Sequence, residues 1–393
     1  MSPLSSLSPE SRLVFLSADP SSDAPTLAAA AAGISDWGRA IALAEREVAT
    51  SNLWRCLRDA GTTLPAPVTE HLRRSAMVSD FRMQQLSARL QRTVQAFAAE
   101  GIPLLLLKGA AVGARFDPTF RARPMTDIDA LVRREDVNRA RAALVAAGWT
   151  ESTNPALREV LENHHHLAPF LDPQLPGLRF ELHVSLFPSD HSFGVDESHF
   201  LREAHPAAPP FAGALVPSPD HLLLQACVHF AWQHTVEFAA WRTFRTVSLV
   251  LRSPGFSWER FVETALTAKA ATSCYWTLRL AERLGAADIP PAVLAHLQPP
   301  TAEFLRAAIE RHFIASLVPG EGIASPSIRL SRMLWRTALR PRWSGHRAPD
   351  RWDPEGRWER LYGSEPESLG DRLRRHAAGY RAWWTFFART LIG

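Results

Sequence analysis

At Gly101 the hydrophobic pattern of this chain changes its period, and few folds tolerate such a change. Before it, Met83, Leu86, Leu90, Val94 and Phe97 recur at spacings of three and four, which gathers them on one stripe of a helix. Gly101 then stops that helix. Residues 102–107 follow as a short apolar run closed by Lys108-Gly109, the pattern of a buried strand. Residues 110–116 read as a short helix, and 128–132 as a second apolar strand with Asp127 and Asp129 alternating on it. Residues 135–147 are helical through Val137, Ala140 and Leu144, end at Gly148, and lead into a short strand from Trp149. Residues 166–171 and 178–184 read as paired strands joined by a loop holding Asp172-Pro173 and Pro176-Gly177. The sum is a small α/β unit over residues 101–195.

Helices surround it. Ser8-Pro9-Glu10 is a helix start, with a capping serine and a proline suited to the first helical position. A second helix is expected over residues 35–58. Ser218-Pro219-Asp220 repeats the start signal, and further helices are expected over 236–251, 258–271 and 275–284. The expected organisation is an N-terminal helical region (1–100), the α/β core (101–195), a helical domain (215–318) and an Arg/Trp-rich C-terminal region (319–393). The fold class is therefore an α/β (α+β) core with a small mixed sheet, embedded in a largely helical protein.

Composition narrows the function classes. Hydrophobic residues make up 46% of the chain and charged residues 21%, enough to bury a core. A net charge of +4 over 393 residues does not by itself call for nucleic acid. Arginine supplies nearly all the positive charge, since Lys108 and Lys269 are the only lysines. Cys56, Cys227 and Cys274 form no CxxC pair or zinc spacing, so a reduced, cytoplasmic setting is expected. The N-terminus lacks the basic and apolar regions of a secretory signal, and no run reaches the 18 apolar residues of a membrane span. No GxSxG, HExxH or GxGxxG occurs, which leaves serine-hydrolase, zincin and dinucleotide readings without support.

The chemistry gathers in the α/β unit. Side chains two apart on a strand point the same way, so Asp127 and Asp129 converge at the edge of the sheet. Carboxylates that close repel unless a cation lies between them, and hard cations such as Mg²⁺ take one or two carboxylates together with substrate phosphates. Such pairs also arise by chance, so their neighbours matter. Lys108-Gly109, about twenty residues earlier, puts a cation and a small residue at a strand–helix turn, where backbone can approach an anion; the plain alternative is an exposed turn lysine. Glu181 is an acid between Phe180 and Leu182, costly in mid-strand unless paired or bound to metal, or else one of an outward-facing set with Arg179 and His183. Arg121 and Arg123 can neutralise a triphosphate or make surface salt bridges.

Together the segments LLLLKGAAVGARF, RPMTDIDALV, ALVAAGW and FELHVSL resemble the uncharacterised bacterial nucleotidyltransferase family of the DNA polymerase β-like superfamily. The likeness extends to Ser35-Asp36-Trp37, to the LLLQACVHFAWQH helix after Pro219 and to the basic stretch 334–342. The resemblance implies that Asp127, Asp129 and Glu181 bind two Mg²⁺ ions, about 3.5–4 Å apart in such sites. It places Lys108 and Gly109 where relatives hold the nucleotide's phosphates with a Gly-Ser pair, although no serine follows Gly109 here. Lys108 and Arg123 would offset phosphate charge. The implied reaction moves NMP from an NTP, with ATP the expected donor, to a hydroxyl or phosphate on a small molecule, sugar phosphate, peptide or protein. The alternative is a non-catalytic nucleotide-binding or scaffold protein that acts with a partner enzyme. With two acids in repulsion, Asp129→Asn is expected to leave the metal-free protein at least as stable.

Three further features carry open readings. His164-His165-His166 can place at most two rings in one site, and is otherwise a half-exposed strand start whose rings can reach a nucleotide. His221, Gln225, His229 and Gln233 recur every four residues, as the wall of a cleft or a polar contact between helices. The C-terminal region mixes arginine with aromatics, and six of the thirteen tryptophans fall between Trp335 and Trp384, which is unlike a disordered linker. Packing on the helical domain, contact with a protein partner or membrane surface, and binding of single-stranded nucleic acid are its three readings.

Overall fold

The computed structural model describes residues 7–152, 165–187, 193–321 and 328–340, with Phe386 and Ala388. Most of the Arg/Trp-rich C-terminal region and His164 thus lie outside the described residues.

Helices α1 (Pro9–Leu16), α2 (Ala24–Ala32), α3 (Trp37–Arg46), α4 (Thr50–Asp59) and α5 (Ala66–Ala99) open the chain. Ser8 caps α1 by accepting the Ser11 N–H at 3.3 Å, as its Ser-Pro-Glu sequence implies. The single helix expected over residues 35–58 is two helices, because Val48 takes a φ of +58°, a conformation that β-branched residues strongly disfavour. The break places the buried Glu47 carboxylate against the helix Ala240–Leu251, where it accepts the Trp241 N–H at 3.0 Å. Along α5 the stripe of Met83, Leu86, Leu90, Val94 and Phe97 is buried.

Among the described residues seven strands follow: β1 (Leu104–Leu106), β2 (Asp127–Leu131), β3 (Thr150–Glu151), β4 (Phe170–Leu171), β5 (Arg179–His183), β6 (His205–Pro206) and β7 (Ala214–Val216). They form a mixed sheet in the order β3-β4-β5-β2-β1-β7-β6. β2 runs parallel to β5 and antiparallel to β1, and β1 runs parallel to β7. Helix α6 (Lys108–Phe116) leads from β1 and packs on β1, β2 and β7, while α7 (Val137–Ala146) packs on α5. Gly113 on α6 permits the close approach of Phe120, whose ring would lie 1.8 Å from an added Cβ. α5 is fastened to the sheet by a buried ion pair, Arg89 Nε to Asp172 Oδ2 at 2.6 Å, and by Trp149 Nε1 donating to Thr93 Oγ1 at 2.9 Å.

The remaining helices among the described residues include the short Glu197–Arg202, between β5 and β6, and Pro219–Val228, continued by the π-turn His229–Gln233, then Ala240–Leu251, Trp258–Thr267, Ala271–Arg283, Pro291–Leu297, Glu303–Leu317 and Ile328–Leu339. The last of these docks on the helical region: Trp335 Nε1 donates to Ala231 O at 2.8 Å, and Trp276 Nε1 to Ala338 O at 2.9 Å. Among the described residues, no helix is long and apolar enough to cross a membrane.

Candidate active site

The parallel pairing of β2 with β5 sets Asp127 opposite Arg179, Asp129 opposite Glu181 and Leu131 opposite His183. Paired residues share a face of the sheet, so register alone brings the Asp129 and Glu181 carboxylates together. The other face carries Ile128, Ala130, Phe180 and Leu182, all buried, which explains the alternation of acid and apolar residues along both strands. Carboxylate oxygens of Asp129 and Glu181 and a ring nitrogen of His183 lie within 4.8 Å of one another. Asp127, one step nearer the start of β2 on the same face, stands outside that group and accepts from Thr126 Oγ1 at 3.4 Å.

Lys108 closes the cluster. Its Nζ donates to Asp129 Oδ1 at 2.7 Å, and His183 Nε2 lies 2.9 Å from the same oxygen. The Lys108 backbone has a φ of +47°, a left-handed conformation costing a non-glycine residue about 1–2 kcal/mol. Its N–H is held by Gln225 Oε1 at 3.1 Å. Asp129 and His183 are buried, whereas Asp127, Glu181 and Lys108 keep partial exposure, so the site is reached from the side of Asp127 and Glu181.

The electrostatics follow from this packing. Burial opposes charge on Asp129, but the Lys108 ammonium and the His183 hydrogen bond outweigh it and hold the carboxyl well below its ordinary range. Glu181 moves the other way: burial first, then the charges of Asp129 and Asp127, push it up to about 7. Burial works against Lys108 as well, yet Asp129, Glu181 and Asp127 together raise it. Burial lowers His183, so its ring is neutral near pH 7.

These residues suit a divalent cation. After burial, the crowding of Glu181 by Asp129 and Asp127 raises it further, and a cation relieves such crowding. Asp129 and Glu181 supply hard oxygen donors, while His183, bonded to Asp129, orients that carboxylate in the way outer partners orient metal ligands. Both the lysine and the histidine bond Asp129 through Oδ1.

Gly109 and Arg123 meet at the first turn of α6. A Cβ on Gly109 would stand 2.6 Å from Arg123 Nη1 and 2.8 Å from Met125 Sδ, so this glycine admits the guanidinium. Arg123 Nε donates to Arg242 O at 3.1 Å. Burial and the nearby Arg242 lower Arg123 to about 10, against the pull of Asp127 and Asp129, which leaves it charged at neutral pH. Arg121 instead pairs with Asp80 at the surface, at 3.5 Å. The loop between them is pinned at Ala122 O, which accepts from Asn52 Nδ2 and Arg245 Nε, both at 3.0 Å.

The polar stripe divides. Gln225 holds Lys108; Gln233 Nε2 lies 3.2 Å from His165 Nε2; burial and then the Lys108 charge push His229 well down, which puts it beside the cluster. His221 faces elsewhere. The His165 and His166 rings lie 5.1 and 5.3 Å from His183, so two of the three consecutive histidines flank the site. Sequence reading missed the parts of His183 and of Gln225 as the Lys108 anchor. The signal for His183 was its place two residues after Glu181, on the same strand face.

No curated protein and no solved structure matches the chain. A family model described as uncharacterised nucleotidyltransferase matches residues 34–286, a span that runs from α3 through the sheet and past Gln225, and the chain belongs to that family.

Proposed function

We propose that this protein transfers NMP from an NTP, with ATP as donor, to a hydroxyl or phosphate of an acceptor molecule, and that Mg²⁺ assists. One observation carries the reading: Asp129 and Glu181 stand in register on adjacent parallel strands, with Lys108 bonded to the first. Asp129 and Glu181, with Asp127 beside them, would hold the cation. When bound, it supplies positive charge that acidifies an acceptor hydroxyl and steadies departing pyrophosphate. Lys108 and Arg123 offer fixed positive charge to the triphosphate. Rigid strands keep the carboxylates in place, so little reorganisation is needed when the nucleotide binds. Gln225 and His165, both buried, flank the site through Lys108 and His183.

The test is incubation of the protein with α-labelled NTPs, Mg²⁺ and cell extract, beside a Glu181→Gln variant. Label carried to a product by wild type and lost in the variant supports transfer. No label transfer, or equal transfer by both, overturns it. A second reading, a non-catalytic nucleotide-binding protein that works with a partner enzyme, draws on the 2.7 Å contact through which Lys108 already neutralises Asp129. It predicts NTP binding without turnover.

A further inference from the structure

The fourth member of the polar stripe lies in a corner away from the acidic strands. His221 is 1% exposed, and the Phe200 ring stacks on it at 3.9 Å and 14°, which fixes the imidazole plane. Its Nδ1 is buried without a hydrogen-bond partner among the described residues, a costly state for a polar atom. That nitrogen points toward Glu203 Oε2, 3.9 Å away, while the other oxygen of Glu203 lies 3.3 Å from His199 Nε2. Nitrogens of both histidines and a Glu203 oxygen lie within 4.8 Å of one another. The neighbouring acid, Asp220, is already engaged by Arg260 Nε at 3.1 Å. The three side chains border a cavity of about 470 Å³, also lined by Arg260 and Glu263.

We infer that His199, Glu203 and His221 form a binding site for a divalent transition metal of the zinc type, separate from the acidic strands, with its open coordination position toward this cavity. Two imidazoles and a carboxylate are a borderline-soft donor set, preferred by zinc and poorly suited to Mg²⁺. Around a tetrahedral zinc with bonds of about 2.0–2.1 Å, donor atoms stand about 3.3 Å apart. The His199–Glu203 gap already has that value, and Glu203, whose side chain is 50% exposed, is free to rotate toward His221. Burial lowers His221 to about 4, so the ring is neutral and its lone pair is available at physiological pH, as metal binding requires. A metal also satisfies the nitrogen that the protein leaves unpaired. The inference does not rest on nucleotidyl transfer.

Equilibrium dialysis of the full chain against Zn²⁺ alone, with Co²⁺ absorption as a geometric probe, tests it. Wild type should hold a Zn²⁺ equivalent that survives Glu181→Gln and shows the intense visible bands of low-coordinate Co²⁺. His199→Ala and Glu203→Gln alter exposed side chains and should keep the fold. Each should weaken that equivalent at least about a hundredfold, the upper end of the cost of losing a mere supporting bond. Zinc binding that is absent in wild type, that persists undiminished in both variants, or that vanishes in Glu181→Gln instead overturns the inference.

Discussion

The acidic face of the sheet and the His199–Glu203–His221 corner use the same kinds of side chain and reach opposite electrostatic states. On the sheet, three acids crowd together, one lysine compensates, and Glu181 is driven up to about 7. In the corner, a single carboxylate stands between two imidazoles, and the buried ring is driven down to about 4. The first site has surplus negative charge and donors fixed by strand register; the second is built mainly of imidazole nitrogens, two of its three members being half exposed. Histidine and carboxylate together therefore do not define a site. The ratio of acid to imidazole and the rigidity of the backbone decide between a hard cation with phosphates and a borderline-soft one.

The sharpest way to break this contrast is Glu181→Gln. Removing one of the two in-register carboxylates should lower transfer by about a thousandfold, the range seen when one preorganised electrostatic partner is lost. The same change removes a charge that Asp129 and Asp127 repel, so the thermal midpoint of the metal-free protein should hold or rise. Loss of transfer together with a clear drop in midpoint would make Glu181 a structural acid and erase the distinction between the two clusters. The corner variants His199→Ala and Glu203→Gln should leave transfer within about twofold of wild type, as expected of sites with no shared partners.

Asp129→Asn probes the same site through stability. From the sequence, relief of repulsion between two acids suggested that this change is harmless. The structure reverses the sign, because Asp129 is the partner of both Lys108 and His183. Neutralising it strands an ammonium whose side chain is only 17% exposed. Fully buried pairs cost 3–5 kcal/mol to break, and partial exposure of Lys108 reduces the expected loss to about 2–3 kcal/mol. Lys108→Met in the same chain should recover most of it, a coupling that a double-mutant cycle by denaturant unfolding measures. Additive losses would mean that the 2.7 Å contact contributes no stability.

That reversal marks the limit of what the sequence discloses. The two carboxylate strands, their apolar faces and the helix between β1 and β2 were legible, because alternation and bounded apolar runs are local signals. Asp129 and Glu181 were legible as a pair on the strength of family resemblance, but the parallel register that joins them is set across some fifty residues. Lys108 was read as a phosphate ligand, and nothing local says that it folds back onto Asp129 with a left-handed backbone held by Gln225, 117 positions away. β6 and β7, of two and three residues, are too short to show a period, yet they extend the sheet beyond β1. The break at Val48 opposes local preference and is fixed by the tertiary contact of Glu47 with Trp241.

The smallest effect tests why the corner histidine stays neutral. His312, on the helix Glu303–Leu317, is 4% exposed, and burial alone lowers it to about 4, the same value as His221 with Glu203 beside it. Burial thus sets the state of both rings, and a carboxylate at 3.9 Å adds little. The folded pKa lies below the ordinary 6.5, so the unfolded chain takes up the proton first and stability falls as pH drops from about 6.5 toward 4. Between pH 7 and pH 5.5 the single ring should account for about 1 kcal/mol of lost stability. His312→Leu should remove that part of the slope in urea unfolding, whatever it does to the absolute stability at pH 7. An unchanged slope would mean that the folded protein protonates His312 as readily as the unfolded chain does, and that burial is not what keeps these imidazoles neutral.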